Sequence, residues 1–213
     1  MASRASKNKQ QKSGLMRQIF DILIFIILIG AIIISRLIFW QAVTVEGHSM
    51  DPTLAEGQYL IVFNQNHIDR FDIVVASETD ENGKEKKIVK RVIGMPGDQL
   101  EFKQDTLFIN GKEIAEDYLA DYQAAFQADK LQDTYSYSQY FQNLAQASPA
   151  FTANREGQAD FTVTVPEGEY YLLGDDRIVS KDSRDVGSFK SDQIVGEVVL
   201  RFWPITDFKI LHE

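Results

Sequence analysis

The chain has 213 residues, a net charge of −9 and no cysteine, so a thiol nucleophile and stabilising disulfides are excluded. Its length fits one domain with a tail or an insertion. Residues 1–18 carry five basic and no acidic side chains, which leaves 22 − 5 = 17 basic against 31 acidic side chains, or −14, in the remainder. A basic tail before an acidic body argues against a nucleic-acid-binding domain.

An apolar run follows the basic tail, from Ile19 to Phe39. As a helix its 21 residues would measure about 31 Å, which matches the hydrocarbon core of a bilayer. Trp40 is placed as an interfacial anchor, and all the flanking basic residues of the tail precede the run. The sequence therefore predicts a transmembrane helix over residues 19–40, a cytoplasmic tail at 1–18, and an extracellular remainder in the cell membrane.

This run has two alternative interpretations besides a permanent anchor. A basic stretch before an apolar core also describes a cleavable signal peptide, but residues 38–44 are too bulky for a small-x-small cleavage site. A buried core helix is disfavoured because nothing else in the chain could cover a helix that is apolar all round. An uncleaved anchor is the preferred interpretation.

After the apolar run, the hydrophobic pattern acquires the period of two that is typical of β-strands. Many short strands separated by turn signals predict a mainly β, barrel-like or coiled-sheet domain, formed by residues 41–111 and 161–213. The predicted strands are 43–45, 59–63, 72–76, 88–93, 100–103, 106–110, 161–165, 169–173, 194–203 and 208–211. Asn82-Gly83 and Asn110-Gly111 are type I′ turn signals.

Residues 112–160 interrupt this pattern. They are rich in Gln, Ala, Tyr and Asp, and their apolar residues recur at helical spacing in two places. These residues are Tyr118, Leu119, Tyr122, Ala125 and Phe126 in the first, and Tyr137, Tyr140, Phe141 and Leu144 in the second. We interpret 112–160 as a cap-like insertion of one or two helices, with a partly disordered polar loop as the alternative.

Lys90 lies within an apolar predicted strand and shares one face with Ile88 and Val92. If that face packs inward, desolvation lowers the lysine pKa, and the neutral amine can accept a proton from a serine hydroxyl. The alternative is an edge-strand lysine whose ammonium reaches water.

Ser49 precedes Asp51-Pro52, which predicts a turn that would display the serine hydroxyl. The adjacent His48 suggests an alternative in which a histidine is the base for Ser49. In an extended segment, however, neighbouring side chains point to opposite faces, so we do not expect His48 to reach Ser49 Oγ.

A third polar segment spans residues 174–187 and follows an apolar strand. Read as a pattern, it is either a solvated loop or a rigid hydrogen-bonded platform, because glycines flank its Asp, Ser and Arg residues.

Together, residues 49–54 (SMDPTL), 90–98 (KRVIGMPGD) and 174–184 (GDDRIVSKDSR) resemble the conserved boxes of type I signal peptidases, a Ser–Lys dyad serine protease family. The likeness is strongest to the single-span enzymes of Gram-positive bacteria. It covers about residues 15–111 and 161–205. It implies a mainly β, coiled-sheet or pseudo-barrel catalytic core after one membrane helix.

The resemblance also implies roles for individual residues. Ser49 matches the nucleophile, with its backbone N–H as an oxyanion donor, and Lys90 matches the general base. Ser180 matches a serine that orients the lysine, and Met50 a residue of the substrate cleft. Structural support is implied for the remaining matched residues, namely Arg91, Asp175, Asp182 and Arg184.

Two positions depart from the family pattern. Gly47 stands where many Gram-negative members have a hydroxyl residue that assists the oxyanion hole, although Gly is common in Gram-positive members. Asp176 replaces the usual Asn of the third box and adds a carboxylate near the site.

The resemblance implies removal of signal peptides from secretory preproteins that carry small residues at minus three and minus one, at the surface of the phospholipid bilayer. It implies no cofactor, metal or nucleic acid, and it leaves the oligomeric state open. There are two alternative functions: preprotein binding by an inactive relative, and self-cleavage by a repressor-type Ser–Lys protease. The second is disfavoured by the apolar anchor and by the lack of a DNA-binding segment.

Overall fold

The computed structural model describes residues 2–64, 67–79 and 82–211. The chain divides into two compact units, residues 1–41 and 42–213. The first unit is built on helix α1 (Ala2–Ile38). Residues 2–18 of the predicted tail are therefore helical and continuous with the apolar segment. The segment Met16–Arg36 of α1 is long and apolar enough to cross a membrane, and none of that segment is buried. The predicted span at Ile19–Phe39 overlaps this segment over most of its length.

An eight-stranded sheet, all of which except the first two residues of β1 lies in the larger unit, has the order β1-β2-β11-β3-β4-β9-β10, with β12 paired to β11. The pairs β2–β11, β3–β11, β3–β4, β4–β9, β9–β10 and β11–β12 are all antiparallel. The strands of this sheet are β1 (Trp40–Thr44), β2 (Tyr59–Phe63), β3 (Ile73–Thr79), β4 (Glu85–Gly94), β9 (Glu169–Leu173), β10 (Phe189–Lys190), β11 (Ile194–Trp203) and β12 (Lys209–Ile210).

A second, four-stranded sheet has the order β7-β6-β5-β8. Its strands are β5 (Gln99–Lys103), β6 (Thr106–Ile109), β7 (Lys112–Ile114) and β8 (Phe161–Thr164). The β6–β7 turn has positive φ at both Asn110 (52°) and Gly111 (78°), as a type I′ turn requires. The mainly β prediction is confirmed.

Strand β7 (Lys112–Ile114) lies within residues 112–160, the range predicted for the insertion. It pairs with β6 in the register Ile109↔Lys112, so the sheet continues past residue 111. Only one of its three residues is apolar, and the segment is too short for alternation to reveal a strand.

From Ile88 onward, strand β4 is largely buried on both faces. Ile88 and Val92 pack with apolar residues of β3 and β9 in one core, whereas Ile93 lies in a second core with residues of the four-stranded sheet. This part of the strand is enclosed, so a polar side chain on it is kept from water, unlike the exposed side chains of residues 85–87. Lys90 lies in the enclosed part.

The insertion is ordered and helical. It contains a 3₁₀ turn at Asp117–Leu119 and helices α2 (Ala120–Asp129) and α3 (Gln139–Ala147). Helix α3 is capped by Ser138 Oγ, which accepts from the Phe141 N–H at 3.3 Å. The helices enclose a separate core of Leu119, Phe126, Leu131, Tyr135, Ala145 and Phe151, against which Ile178 and Val179 also pack. The helical interpretation is confirmed over the disordered loop.

Candidate active site

Ser49 lies at the start of a tight turn. Residues 49–53 form consecutive turns, and the Leu54 N–H donates to the Met50 carbonyl at 2.9 Å. Met50 and Leu54 are fully buried in the core of the large sheet and anchor the turn on either side. The half-buried Ser49 side chain is therefore held at the surface of the sheet.

Lys90 is 4% exposed, and its Nζ lies 2.7 Å from Ser49 Oγ. Burial lowers the pKa of Lys90 to about 8, against the opposing effect of the nearby Asp182 and Glu78 carboxylates. At that pKa about a tenth of the amine is neutral at pH 7, far more than at the ordinary lysine pKa of 10.5. The geometry and the pKa together allow Nζ to accept the Ser49 hydroxyl proton.

Arg91, the next residue on β4, binds Asp175 in a bidentate ion pair. Its Nε and Nη2 lie 2.9 and 2.6 Å from the two carboxylate oxygens, and Asp175 is completely buried. Thr53 Oγ1 also donates to Asp175 at 2.5 Å. These contacts tie the strand of Lys90 to the turn of Ser49 and to the loop after β9.

Asp182 and Arg184 form a second bidentate pair, with Nε and Nη2 of Arg184 2.8 and 2.9 Å from the carboxylate. Asp182 is also the N-cap of the short helix α4 (Ser183–Val186) and accepts from the Gly174 N–H at 3.0 Å. Burial alone would raise the pKa of Asp182, but the Arg184 guanidinium, the Gly174 N–H and Lys90 hold it below its usual value. Asp182 is thus a fixed negative charge beside the lysine.

Ser180 differs from the expectation in one respect. Its Oγ is buried and has no hydrogen-bond partner among the described residues, so the anticipated hydrogen bond to Lys90 is not present. The side chain instead packs over Gly174, where an added Cβ would lie 2.2 Å from Ser180 Oγ. Ser180 is next to the site, since the same Cβ would lie 2.3 Å from the Ser49 carbonyl oxygen.

Asp176, the residue that departs from the family pattern, is completely buried. Its Oδ1 accepts from Tyr135 Oη at 2.6 Å and from the N–H groups of Ile178 and Val179 at 3.2 and 3.4 Å. Burial raises the pKa of Asp176 to about 7, although these three donors oppose the rise. The added carboxylate therefore faces the insertion and titrates near neutral pH.

His48 does not contact Ser49 through its ring in this arrangement. Its Nδ1 lies 3.0 Å from Asp51 Oδ2, and the ring packs on Tyr137 and Phe141. The premise of an extended segment is wrong, because residues 47–53 form bends and turns. His48 is directed away by its pairing with Asp51 and not by strand alternation.

Gly47 has a φ of +75°, in the left-handed region where residues with a Cβ are strained. An added Cβ would meet no atom within 4 Å, so the constraint is the backbone conformation and not the available space. This backbone conformation favours glycine at position 47.

A cleft of about 510 Å³ opens over Ser49 and Lys90. It is lined by residues 43–50, Glu78, residues 86–90, Phe141, Val179 and Lys181. Met50 contributes to this lining, although most of its side chain is buried in the core. Within the described ranges, no group of three or more His, Asp or Glu side chains is arranged to hold a metal ion.

Two contacts at the site were not predicted. Arg177 pairs with Glu116 and also donates to the Gly174 carbonyl at 3.0 Å, which joins the insertion to the loop after β9. The second contact is the hydrogen bond from Tyr135 Oη to Asp176 Oδ1, which also joins the insertion to that loop. Arg177 lies in the third box, so its sequence position indicated that it is near the site. Glu116 and Tyr135 lie in a segment with no local motif that would indicate this.

Comparisons with known proteins identify the family of the chain. Residues 17–203 match the family "Signal peptidase, peptidase S26". A signal peptidase I of Streptococcus pneumoniae strain R6 is 54% identical over 190 residues, which cover 86% of this chain and 92% of the relative. A signal peptidase IB of Staphylococcus aureus strain Mu50 is 38% identical over 172 residues, 78% of this chain and 79% of the relative.

Among solved structures, a signal peptidase I from Enterococcus faecalis V583 matches at 31% identity and a TM-score of 0.43, over 62% of this chain and 97% of that one. The family match and the relatives cover most of the sequence, and the range of the family match includes all three boxes. The chain therefore belongs to the signal peptidase family, peptidase S26.

Proposed function

We propose that this peptidase is a membrane-anchored serine endopeptidase that removes N-terminal signal peptides from exported preproteins, with Ser49 as nucleophile and Lys90 as general base. The observation that carries the proposal is the 2.7 Å separation of Ser49 Oγ and Lys90 Nζ, with the lysine buried in apolar surroundings. The names of the relatives give the substrate class.

In the proposed mechanism, neutral Lys90 accepts the hydroxyl proton while Ser49 Oγ attacks the scissile carbonyl. The resulting ammonium returns the proton to the leaving amine as the C–N bond breaks, and the acyl-enzyme remains. Lys90 then accepts a proton from water as the water oxygen attacks the ester. It returns that proton to Ser49 Oγ as the acyl C–O bond breaks, which restores the neutral amine and the free serine. Lys90 thus acts as base and acid in turn.

The oxyanion is proposed to be stabilised by the Ser49 backbone N–H. Position 47 supplies no side-chain hydroxyl here, because Gly47 has no side chain. The orientation of this N–H depends on the contacts of the turn, including the Asp176 N–H, which donates to the Ser49 carbonyl at 3.1 Å. The other roles that we propose are structural, for Arg91, Asp175, Asp182, Arg184 and Ser180.

The substrate is proposed to bind as an extended peptide along strand edges of the cleft. Strand β1 is an edge of the large sheet, and β4 pairs with β9 only from Arg91 onward. The stretch of β4 before Lys90 therefore offers backbone groups to a peptide lying in the cleft, whose lining includes residues 86–90. Small residues at minus three and minus one of the preprotein would fit this close approach.

Membrane anchoring is proposed through α1, with the N-terminus in the cytoplasm as the basic tail predicts. The larger unit also exposes apolar side chains near its C-terminus that suit a lipid surface. These side chains are Trp203, Ile205, Phe208 and Ile210. Anchoring would concentrate enzyme and signal peptide in the same bilayer.

The test is a cleavage assay with the full-length chain in detergent and a preprotein that carries Ala at minus three and minus one. Ser49→Ala and Lys90→Ala are expected to abolish cleavage, whereas Lys209→Ala, on the exposed strand β12, should retain it. Full activity in either site variant would contradict the dyad. Wild-type protein that is folded but fails to cleave would favour an inactive, preprotein-binding relative.

A further inference from the structure

The backbone of Asp176 connects the two serines of the site. Its N–H donates to the Ser49 carbonyl at 3.1 Å, and its carbonyl accepts from the Ser180 N–H at 3.0 Å. The direction of the Ser49 peptide group, and with it the turn that carries the nucleophile, therefore depends on where the 176 peptide is held.

The Asp176 side chain is what holds that peptide. Its Oδ1 accepts from two N–H groups of its own loop, those of Ile178 and Val179, and from the hydroxyl of Tyr135. The first two bonds are local and close the loop on itself. The bond from Tyr135, at 2.6 Å, is the shortest of the three and comes from a segment 41 residues away.

Tyr135 is itself fixed within the insertion. It is fully buried in the insertion core, and its ring makes an edge contact with Phe141, the residue that also lines the substrate cleft. Its backbone N–H donates to the Leu131 carbonyl at 2.8 Å, and its carbonyl accepts from the Ser138 N–H at 2.8 Å. A hydroxyl held this rigidly can define the position of its acceptor.

We propose that Tyr135 is a positioning residue for the nucleophile, acting through the chain of contacts from Tyr135 Oη to the Asp176 carboxylate and from the Asp176 N–H to the Ser49 carbonyl. The inference rests on the proposed function and gives the insertion a role in it. The insertion orients the Ser49 turn relative to Lys90, in addition to placing Phe141 in the cleft.

The electrostatic surroundings make this hydrogen bond important. Asp176 Oδ2 is buried and has no hydrogen-bond partner among the described residues, so its charge is compensated only through Oδ1. The other titratable groups that influence Asp176 are Asp51 in the Ser49 turn, Tyr122 on α2, and Tyr137 before α3. None of these three is cationic, so loss of the Tyr135 hydroxyl leaves the carboxylate without a strong side-chain donor.

The experiment measures kcat and KM for cleavage of the Ala-containing preprotein by full-length variants. Tyr135→Phe keeps the ring and removes only the hydroxyl, so kcat is expected to fall about tenfold with KM changed less than about twofold. Tyr140→Phe, at an exposed position on α3, is the matched control and should behave as wild type.

A double-mutant comparison separates positioning from a general structural role. If Tyr135 acts through Asp176, adding Tyr135→Phe to Asp176→Ala should cause no further loss of kcat. Asp176→Asn, whose amide oxygen can still accept from Tyr135, should retain kcat within about threefold of wild type. This last comparison remains available even if Tyr135→Phe does not fold.

Wild-type kcat in Tyr135→Phe, additive losses in the double variant, or an Asp176→Asn defect as large as that of Asp176→Ala would each overturn the inference. A failure of the proposed function is distinguishable from these results, because the wild-type protein itself would then not cleave the preprotein.

Discussion

Replacement of Gly174 by Ala is the substitution whose effect on the site can be worked most directly from the structure. An added Cβ would lie 2.3 Å from the Ser49 carbonyl oxygen and 2.2 Å from Ser180 Oγ. Ordinary contacts of a Cβ begin at 3.4 Å, so the Ser49 peptide and the residue 174 backbone must separate by about 1 Å. Rotation of Ser180 moves its Oγ but not its Cβ, which would lie 2.5 Å from the added Cβ, and the Ser49 carbonyl is backbone and cannot rotate away.

A displacement of about 1 Å at a nucleophile is sufficient to lower kcat by about 100-fold. Gly174 also donates its N–H to Asp182 and accepts from Arg177, which restricts relaxation from the other side. We therefore expect Gly174→Ala to reduce preprotein cleavage by about two orders of magnitude per folded molecule, measured under saturating substrate in detergent.

Gly196→Ala is the matched control, because its Cβ would lie 2.1 Å from the Phe63 carbonyl oxygen in the same sheet but against a different segment. Both variants should be less stable than wild type in thermal denaturation. Only Gly174→Ala should lose kcat after correction for the folded fraction. Wild-type kcat in folded Gly174→Ala would refute the conclusion that the backbone at Gly174 fixes the nucleophile.

Two further predictions concern stability. Arg184→Ala should lower the free energy of unfolding by about 3–5 kcal/mol, because it leaves the completely buried Asp182 carboxylate without its ion pair; denaturant titration that shows less than about 1 kcal/mol would contradict this. Asp176 has a folded pKa of about 7 against 3.8 in the unfolded chain, so folded protein binds more protons between these values and wild-type stability falls as pH rises through that window. Relative to Asp176→Asn, wild type should therefore lose up to about 4 kcal/mol between pH 4 and pH 8, and a difference independent of pH would show that Asp176 does not titrate there.

Much of the larger unit could be predicted from local sequence, because its strands obey simple alternation. The bounds of β2, β9 and β11 coincide with the apolar runs that predicted them. The burial of Lys90 also follows from alternation, since Ile88 and Val92 on the same face have a core to enter. Strand β7 was missed because three residues with one apolar side chain carry too little pattern.

The contacts that join distant segments were beyond sequence reasoning. Nothing in the local sequence around Tyr135 indicates that its hydroxyl meets Asp176, because the contact depends on how the insertion packs on the loop after β9. The pairing of His48 with Asp51 was not predicted for a different reason. The sequence predicted a turn after Ser49 and an extended backbone before it, whereas the turn that brings His48 to Asp51 already includes His48. The Ser180 rotamer was likewise set by packing over Gly174 and not by a motif.

The most direct test of the central claim is the pH dependence of kcat/KM, which reports ionisations of the free enzyme. Because the base must be neutral and burial lowers the pKa of Lys90 to about 8, kcat/KM should fall as pH drops through about 8. The same limb should remain in Asp176→Asn, which removes the other group titrating nearby. A rate that stays flat well below neutral pH, or a midpoint near 10.5, the ordinary value for lysine, would contradict the assignment of Lys90 as the base.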